Sequence, residues 1–231
     1  MILDRVTITG ADDRTDPAAL ARLSARHPFV EWGILISEVS SGSPRHPSPE
    51  WRRRLAEAAA QGGLRLAAHL EGSLSLRTMI EGSDEFFAGP YHAQIFARIQ
   101  LNGFSRVAEA ARTDSIARHP AHTFIFQVES DEAYALAARH GASRAANIGV
   151  LFDKSAGRGE TPAQWPRPKF DLRTGFAGGI GPGKVDAVCT AIRAFSFGPF
   201  WIDMEANVRT DDILDLAKVE RVLEEARRWV R

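Results

Sequence analysis

The sequence is short of the features that mark several classes of protein. It has one cysteine, Cys189, among 231 residues, so no intramolecular disulfide can form. No apolar run approaches the ~18 residues of a membrane span, and Asp4 and Arg5 interrupt the N-terminal segment where a secretory signal is apolar. The 29 basic residues are balanced by 29 acidic ones, whereas a nucleic-acid surface needs a basic excess. We therefore expect a cytoplasmic protein that neither crosses a membrane nor binds nucleic acid.

The chain instead shows a regular alternation of short apolar runs with longer segments of helical periodicity. The apolar runs predict eight strands, at 3–9, 32–36, 64–69, 97–101, 123–128, 148–152, 174–177 and 200–204. Eight such units in succession, with no linker between them, predict a single (β/α)8 barrel domain over residues 1–231. An open, doubly wound sheet is the alternative, and it is disfavoured because no G-x-G-x-x-G motif follows the first strand.

The connections between the strands are predicted to be mostly helical. The predicted helices begin after Asp16, at Ser48 and near Pro182, and cover about 106–117, 131–140 and 216–229. Gly141 is predicted to end the helix at 131–140. Residues 73–87 are only weakly helical in pattern, and the glycine- and proline-rich stretch after the sixth strand predicts a short or irregular connection.

Polar residues at the C-terminal ends of the strands are the candidates for chemistry, because the active site of a barrel lies there. They are Thr7, Thr9, Ser37, Glu38, His69, Glu71, Gln100, Asn102, Gln127, Glu129, Asp153, Asp203 and Glu205. Asp153 ends the strongly apolar sixth strand, and we predict that it is catalytic. His69 and Glu71 are candidates for an acid–base pair or for metal ligands, although structural hydrogen bonding explains them equally well.

The turn after the seventh strand, residues 177–182, reads AGGIGP. Glycines after a strand let backbone N–H groups approach an anion closely. Phosphate sites in barrels often lie in the loops after strands seven and eight. The turn therefore predicts a phosphate site at Gly178 and Gly179, and the alternative is a tight turn that needs glycine backbone angles.

Five motifs, in order along most of the chain, resemble those of the phosphoribosylanthranilate isomerase family. Residues 43–50, SPRHPSPE, resemble its S-P-R-x-[IV]-S-P-E after strand two, and residues 99–103, IQLNG, resemble its V-Q-L-H-G. Residues 150–153, VLFD, resemble its L-L-L-D, and residues 176–180, FAGGI, its L-A-G-G-L. Residues 202–208, IDMEANV, resemble its V-D-V-S-S-G-V ending. The resemblance implies a barrel that isomerises a phosphorylated sugar derivative.

The resemblance also implies roles for individual residues. The family's reaction opens the ring of a phosphoribosyl-amine and moves the carbonyl from C1 to C2, which needs an acid at the ring oxygen and a base at the C2 proton. By position, the acid is Asp153, and the arginine beside the substrate carboxylate is Arg45. The phosphate would rest on the backbone near Gly178, Gly179, Ala206 and Asn207. The expected partner is a small phosphorylated molecule, with no metal ion or cofactor, bound by a monomer or homodimer.

Three positions depart from the family's motifs. Thr9 stands where the strand-one motif K-I-C-G has the cysteine that acts as base, and a threonine hydroxyl is a far weaker base. Asn102 replaces the histidine of V-Q-L-H-G, and Glu205 replaces a serine where a carboxylate would repel phosphate. Thr9, His69 and Glu205 are therefore the candidates for an altered base.

These departures leave more than one function open. The first hypothesis is an isomerase with an altered base, and the second is a non-catalytic barrel that binds a ligand or a protein. A lyase or aldolase is less favoured, because Lys154 and Lys184 lack the buried strand setting of a Schiff-base lysine. We predict that Cys189 is a core residue of the helix after strand seven.

Overall fold

The structure, a computed structural model, describes residues 3–111, 114–144, 147–155, 158–168, 172–196 and 198–230. Eight parallel strands follow one another around a closed barrel, and the first pairs with the eighth to complete it. They are β1 (Leu3–Thr9), β2 (Val30–Ile36), β3 (Leu66–Leu70), β4 (Arg98–Leu101), β5 (Thr123–Val128), β6 (Ile148–Phe152), β7 (Arg173–Ala177) and β8 (Phe200–Met204). The predicted (β/α)8 barrel is confirmed, and β1, β5, β6 and β8 have the predicted bounds.

Helices connect most of the strands. They are α1 (Pro17–Arg26), α2 (Pro49–Ala60), α3 (Gly72–Ile80), α4 (Glu85–Ala88), α5 (Asp114–Arg118), α6 (Asp131–Arg144), α7 (Val185–Arg193) and α8 (Leu216–Ala226). A two-stranded antiparallel ribbon, β9 (Arg209–Thr210) with β10 (Ile213–Leu214), follows β8. The described part of the β6–β7 connection contains no helix, as its glycines and prolines predict.

The first two helices begin where their sequences predict. The Asp16 side chain accepts a hydrogen bond from the backbone N–H of Ala18, and the Ser48 side chain accepts one from Trp51. A proline follows each of these capping residues and occupies the first helical turn. Caps of this kind satisfy backbone donors that have no partner inside the helix, so they fix the first helical residue locally.

Residues 73–87 are more helical than their pattern predicted, because tertiary burial outweighs weak local propensity there. They contribute to α3 and α4, and Leu74, Met79 and Phe86 are buried in the core. Burial of these side chains stabilises two short helices that would not be stable in isolation. The helix that begins near Pro182 in the prediction begins at Val185, and Cys189 in it is buried as expected.

Two other helix predictions were wrong. In the described part of 106–117, the chain forms turns and becomes helical only at α5. Phe104 precedes these turns and is stacked on Phe126 of β5 with ring centroids 4.2 Å apart, which holds the chain close to the barrel. Gly141 does not end α6, which continues to Arg144, because one glycine costs a helix only ~1 kcal/mol.

Side chains of each strand alternate between the two faces of the barrel wall. Those that face outward, such as Val6 and Ile8, form the main core with the helices. Inside the barrel, Ile125, Leu151 and Trp201 form a separate apolar cluster. A Cβ at Gly175 would overlap the Trp201 indole, so glycine at this point of β7 makes room for the largest side chain of the interior.

The N-terminal end of the barrel interior holds a buried charge network centred on Glu31. Its carboxylate accepts hydrogen bonds from Arg98 Nη1 at 2.9 Å, from Thr7 Oγ1 at 3.0 Å and from Arg5 Nη1 at 2.9 Å. The Arg98 guanidinium carbon also lies 4.1 Å from the centroid of the Trp201 ring. Both carboxylate oxygens of Glu31 are thus paired with donors, as a buried charge requires.

Among the described residues, every helix is too short or too polar to cross a lipid bilayer.

Candidate active site

A cavity of about 310 Å³ opens at the C-terminal ends of the barrel strands. Its lining includes all but one of the residues predicted to act in catalysis or in ligand binding, whereas the strand-end candidates Thr7, Ser37 and Glu38 do not line it. The predicted residues that line it are Thr9, His69, Asn102, Asp153, Gly178, Gly179, Glu205, Ala206 and Asn207. The remaining residue, Arg45, lies behind Glu205 and is described below. All eight strands, or the loops that follow them, contribute to the lining and thus bring residues distant in sequence to one site.

Asp203, on β8, is the most perturbed group of the cavity. One carboxyl oxygen, Oδ1, accepts a hydrogen bond from Thr9 Oγ1 at 3.0 Å. The other, Oδ2, is buried and has no hydrogen-bond partner among the described residues. Burial raises the pKa of Asp203 to about 8, although the hydrogen bond from Thr9 and the charge of Arg98 work to lower it. Asp203 therefore carries a proton at neutral pH.

His69, on β3, faces Asp203 across the barrel. Its Nε2 lies 3.8 Å from Asp203 Oδ2. Burial, and then the charge of Arg98, lower the pKa of His69 to about 3. Both groups are neutral at pH 7, so this contact is not an ion pair. Gly33 of β2 makes the arrangement possible, because a Cβ there would overlap Thr9 Oγ1 and the His69 ring.

Asp153 follows β6 and is held by donors on both of its oxygens. Gln127 Nε2 donates to Oδ2 at 3.0 Å, and Ser155 donates to Oδ1 from its hydroxyl at 2.7 Å and from its backbone N–H at 3.1 Å. Three donated hydrogen bonds fix the carboxyl group of Asp153 in position. The cavity therefore holds two carboxyl groups in different environments, Asp153 and Asp203.

Glu71 and Asn102 form the wall at β3 and β4. Glu71 Oε2 lies 2.8 Å from His46 Nε2, and Glu71 Oε1 accepts a hydrogen bond from Asn102 Nδ2 at 3.2 Å. The hydrogen bond to Glu71 raises the pKa of His46. Burial works to raise the pKa of Glu71, but the hydrogen bond and charge of His46 outweigh it and lower that pKa. His46 and Glu71 therefore each favour the charged form of the other.

Arg45 is engaged by acidic side chains and does not line the cavity. Its Nη1 lies 3.1 Å from Glu205 Oε1, and its Nη2 lies 2.8 Å from Asp212 Oδ1. Burial raises the pKa of Glu205, although the charges of Arg45 and Arg209 oppose the shift. Arg45 therefore offsets the negative charge that Glu205 would otherwise present to the β7–β8 edge of the cavity.

The glycine turn after β7 has the predicted backbone angles, with φ of 120° at Gly178 and 65° at Gly179. A Cβ at either position would overlap the loop that follows β6, at Glu160 and at Thr161 respectively. The two glycines are thus needed both for the turn and for the close approach of this loop. They still line the cavity beside Ala206 and Asn207 of the segment after β8.

Sequence reasoning placed Asp203 among the polar residues at the strand ends but gave it no role. It lies near the end of an apolar strand, as Asp153 follows one, and this was the available signal. Arg106 is the one arginine or lysine in the described lining, which also holds five acidic residues. Within the described residues, no group of three side chains is arranged to hold a metal ion.

The sequence matches no protein-family model and no curated protein. Solved structures resemble the fold. A truncated 3-deoxy-D-arabino-heptulosonate 7-phosphate synthase from Thermotoga maritima has a TM-score of 0.58 and 13% identity, covering 99% of this chain and 86% of that one. An N-acetylneuraminic acid synthetase from Leptospira borgpetersenii has a TM-score of 0.55 and 10% identity, covering 99% and 84%.

A thiamine phosphate pyrophosphorylase from Pyrococcus furiosus is similar in size as well as in fold. It has a TM-score of 0.53 and 12% identity, and the match covers 96% of each chain. Identities this low show a shared barrel fold alone. The resemblance to phosphoribosylanthranilate isomerase therefore stays a prediction.

Proposed function

We propose that the protein is an isomerase that moves a proton and a carbonyl between C1 and C2 of a phosphorylated sugar derivative. The observation that carries the proposal is the pair of buried carboxyl groups in one cavity. Asp203 has a pKa of about 8, whereas Asp153 accepts three hydrogen bonds. Groups whose environments differ in this way are suited to opposite roles in proton transfer.

The reaction needs a proton donor and a proton acceptor. Asp203, protonated at pH 7, gives its proton to the ring oxygen as the bond from that oxygen to C1 breaks. Asp153, as a carboxylate, takes the proton from C2, which leaves an enol with its double bond between C1 and C2. Asp153 then returns that proton to C1 while the C2 hydroxyl gives its own proton to Asp203, which completes the carbonyl at C2. The family resemblance assigns the donor role to Asp153, but burial and the unpaired Oδ2 favour Asp203 for it. Thr9 orients Asp203 through Oδ1 and needs no basicity of its own.

The phosphate would be held at the edge of the cavity formed by β7 and β8. Backbone groups of Gly178, Gly179, Ala206 and Asn207 lie along this edge. The repulsion expected from Glu205 is reduced because Arg45 pairs with it at 3.1 Å. Two of the structural neighbours are named for phosphorylated compounds, and the proposal extends such a substrate to this chain.

A barrel that binds the same ligand without catalysis is the second candidate. Thr9 favours it, because its hydroxyl donates a hydrogen bond to Asp203 and so is not available as a base. The two candidates share a ligand and differ in proton transfer at C2.

Exchange of the C2 proton with solvent separates them. The purified protein is incubated in D2O with D-ribose 5-phosphate or with phosphoribosylanthranilate, and the C2–H signal is followed by NMR. We expect the wild-type protein to cause loss of this signal. In Asp153→Asn and Asp203→Asn, the rate of exchange should be about 100-fold or more lower. The matched control is Glu57→Gln, an exposed position on α2. Binding without exchange would support the second candidate, and exchange unchanged in both variants would overturn the assigned roles.

A further inference from the structure

The loop between β2 and α2 brings two adjacent basic residues to two different acidic side chains of the cavity. Arg45 Nη1 lies 3.1 Å from Glu205 of the segment after β8, and His46 Nε2 lies 2.8 Å from Glu71 of the segment after β3. Both glutamates line the cavity, whereas neither basic residue does. One loop therefore holds two carboxylates that reach the cavity from different sides of β2.

The backbone of this loop is arranged so that the two side chains diverge. Arg45 has a φ of 74°, which is uncommon for a residue with a side chain. Its backbone N–H donates to Asp12 Oδ2 at 2.9 Å, and its guanidinium also contacts Asp212 at 2.8 Å. Arg45 is thus committed to acidic residues of the protein, and an anionic arm of a ligand would have to displace them.

Pairing with Arg45 and His46 offsets part of the charge of the two glutamates but leaves their oxygens as acceptors. A carboxylate has about four lone-pair sites, and the contacts above use one site of Glu205 and two of Glu71. A wall of this kind suits neutral donors. A carboxylate on the ligand has no proton to donate to these acceptors, and an ammonium group would gain less because their charge is already partly offset.

A second observation indicates that a polar ligand group meets this part of the cavity. Asp203 Oδ2 is buried in the floor and has no hydrogen-bond partner among the described residues. Buried polar atoms are normally paired, so a polar atom that enters the cavity is expected to contact it. Glu205 follows β8 two residues after Asp203 and also lines the cavity, which connects the floor with the wall.

We propose that Glu71 and Glu205 accept hydrogen bonds from neighbouring hydroxyl groups of the sugar, and that His46 and Arg45 are positioning residues that hold them. The inference rests on the proposed function, because it names the part of the phosphorylated sugar that this wall recognises. It also sets this chain apart from a barrel in which Arg45 binds a substrate carboxylate.

A matched pair of ligands tests the hydroxyl contact. D-ribose 5-phosphate and 2-deoxy-D-ribose 5-phosphate differ in one hydroxyl group, and their affinities are compared by isothermal titration calorimetry. Hydrogen bonds to charged groups are strong enough that we expect wild-type protein to bind the ribose compound about tenfold more tightly. Of Glu71→Gln and Glu205→Gln, the one that alters the acceptor of the C2 hydroxyl should reduce that ratio towards one, whereas Glu57→Gln should leave it unchanged.

The positioning role has a separate test. His46→Ala should change the ribose-to-deoxyribose ratio as Glu71→Gln does, and His46→Gln, which retains a donor towards Glu71, should return it much of the way to the wild-type value. Arg45→Met should change the ratio as Glu205→Gln does, and thermal unfolding shows whether each variant is folded. A merely structural role would weaken both ligands equally and leave the ratio at its wild-type value.

The outcomes distinguish the inference from the function on which it rests. If wild-type protein binds both sugar phosphates equally, the hydroxyl subsite is overturned and the proposed function stands. If Glu71→Gln and Glu205→Gln both keep the wild-type ratio, the subsite lies elsewhere and the inference is again overturned. If neither sugar phosphate binds and the C2 proton of neither isomerase substrate exchanges, the proposed function fails and the inference fails with it.

Discussion

The barrel interior contains two buried carboxyl groups, Glu31 at its N-terminal end and Asp203 at its C-terminal end. They are 1% and 5% exposed, and both accept a hydrogen bond from a threonine of β1. Glu31 is also paired with Arg98 and Arg5, whereas Asp203 Oδ2 has no hydrogen-bond partner among the described residues. Similar burial thus produces a satisfied ion at one end and a proton-bearing acid at the other.

The difference between Glu31 and Asp203 shows that one end of the barrel is suited to stability and the other to proton transfer. A buried charge that is fully paired is tolerated and resists change. A buried carboxyl group without such partners is less stable in its charged form, so its pKa rises and it becomes available as a proton donor. The unfavourable burial of an unpaired carboxyl group occurs at the end of the barrel that a ligand can reach, which is where sites in this fold lie.

The largest expected effect comes from a change in the Glu31 network at the N-terminal end of the barrel. Arg98→Met removes one partner of Glu31, and we expect the free energy of unfolding to fall by about 3–5 kcal/mol, because an incompletely compensated charge remains buried. Urea unfolding followed by circular dichroism measures this change. Arg53→Met, at an exposed ion pair of α2, is the control and should cost less than about 1 kcal/mol. A similar small cost for Arg98→Met would show that Glu31 does not depend on it.

A change of opposite sign in the free energy of unfolding is expected for Asp203, at the C-terminal end of the barrel. Asp203→Asn removes the group whose ionisation is unfavourable, and we expect it to raise the free energy of unfolding by about 2–4 kcal/mol at pH 8 while abolishing exchange at C2. The folded-state pKa of Asp203, about 8, is above the usual 3.8. The folded protein therefore binds the extra proton between those values, and the wild-type contribution to stability falls as pH rises through this window.

The pH dependence provides the decisive comparison for Asp203→Asn. The advantage of the variant should grow from about pH 4 to about pH 8 and then stay constant. Asp211→Asn, at an exposed position, should change stability by less than about 0.5 kcal/mol at every pH. A variant that is destabilised at pH 8, or whose advantage does not vary with pH, would contradict the raised pKa.

The smallest expected effect concerns His69. Its folded-state pKa of about 3 is below the usual 6.5, so its contribution to stability is lost as pH falls from 6.5 towards 3. The slope is at most about 1.4 kcal/mol per pH unit, and Asp203 opposes it above about pH 4. Between about pH 4 and 6.5 the two slopes nearly cancel in wild-type protein, whose stability should therefore change little with pH. His69→Gln should instead gain stability in urea unfolding as pH falls through this range. In Asp203→Asn protein the opposing effect of Asp203 is absent, so only His69 should make stability fall as pH falls. Asp203→Asn with and without His69→Gln should therefore differ in their pH dependence, and an equal dependence would contradict the prediction.

Local sequence predicted much of the scaffold. Apolar runs placed β1, β5, β6 and β8 at their observed bounds, because strand signals act over a few neighbouring residues. Asp16 and Ser48 likewise indicated where helices begin. The same reasoning failed for 73–87 and 106–117, where burial of Leu74 and stacking of Phe104 decide the conformation. Those contacts join residues that are distant along the chain.

The sequence by itself determined the order of eight strands, and with it the end of the barrel at which polar residues collect. Only the tertiary structure decided how those residues are paired. Arg45 meets Glu205 across 160 positions and Thr9 meets Asp203 across 194, and no local pattern encodes either contact. The partners of a carboxyl group decide whether it is a fixed ion or a proton donor, because burial and nearby charges set its pKa. That is why Asp203 became the central group of the site only in the folded molecule.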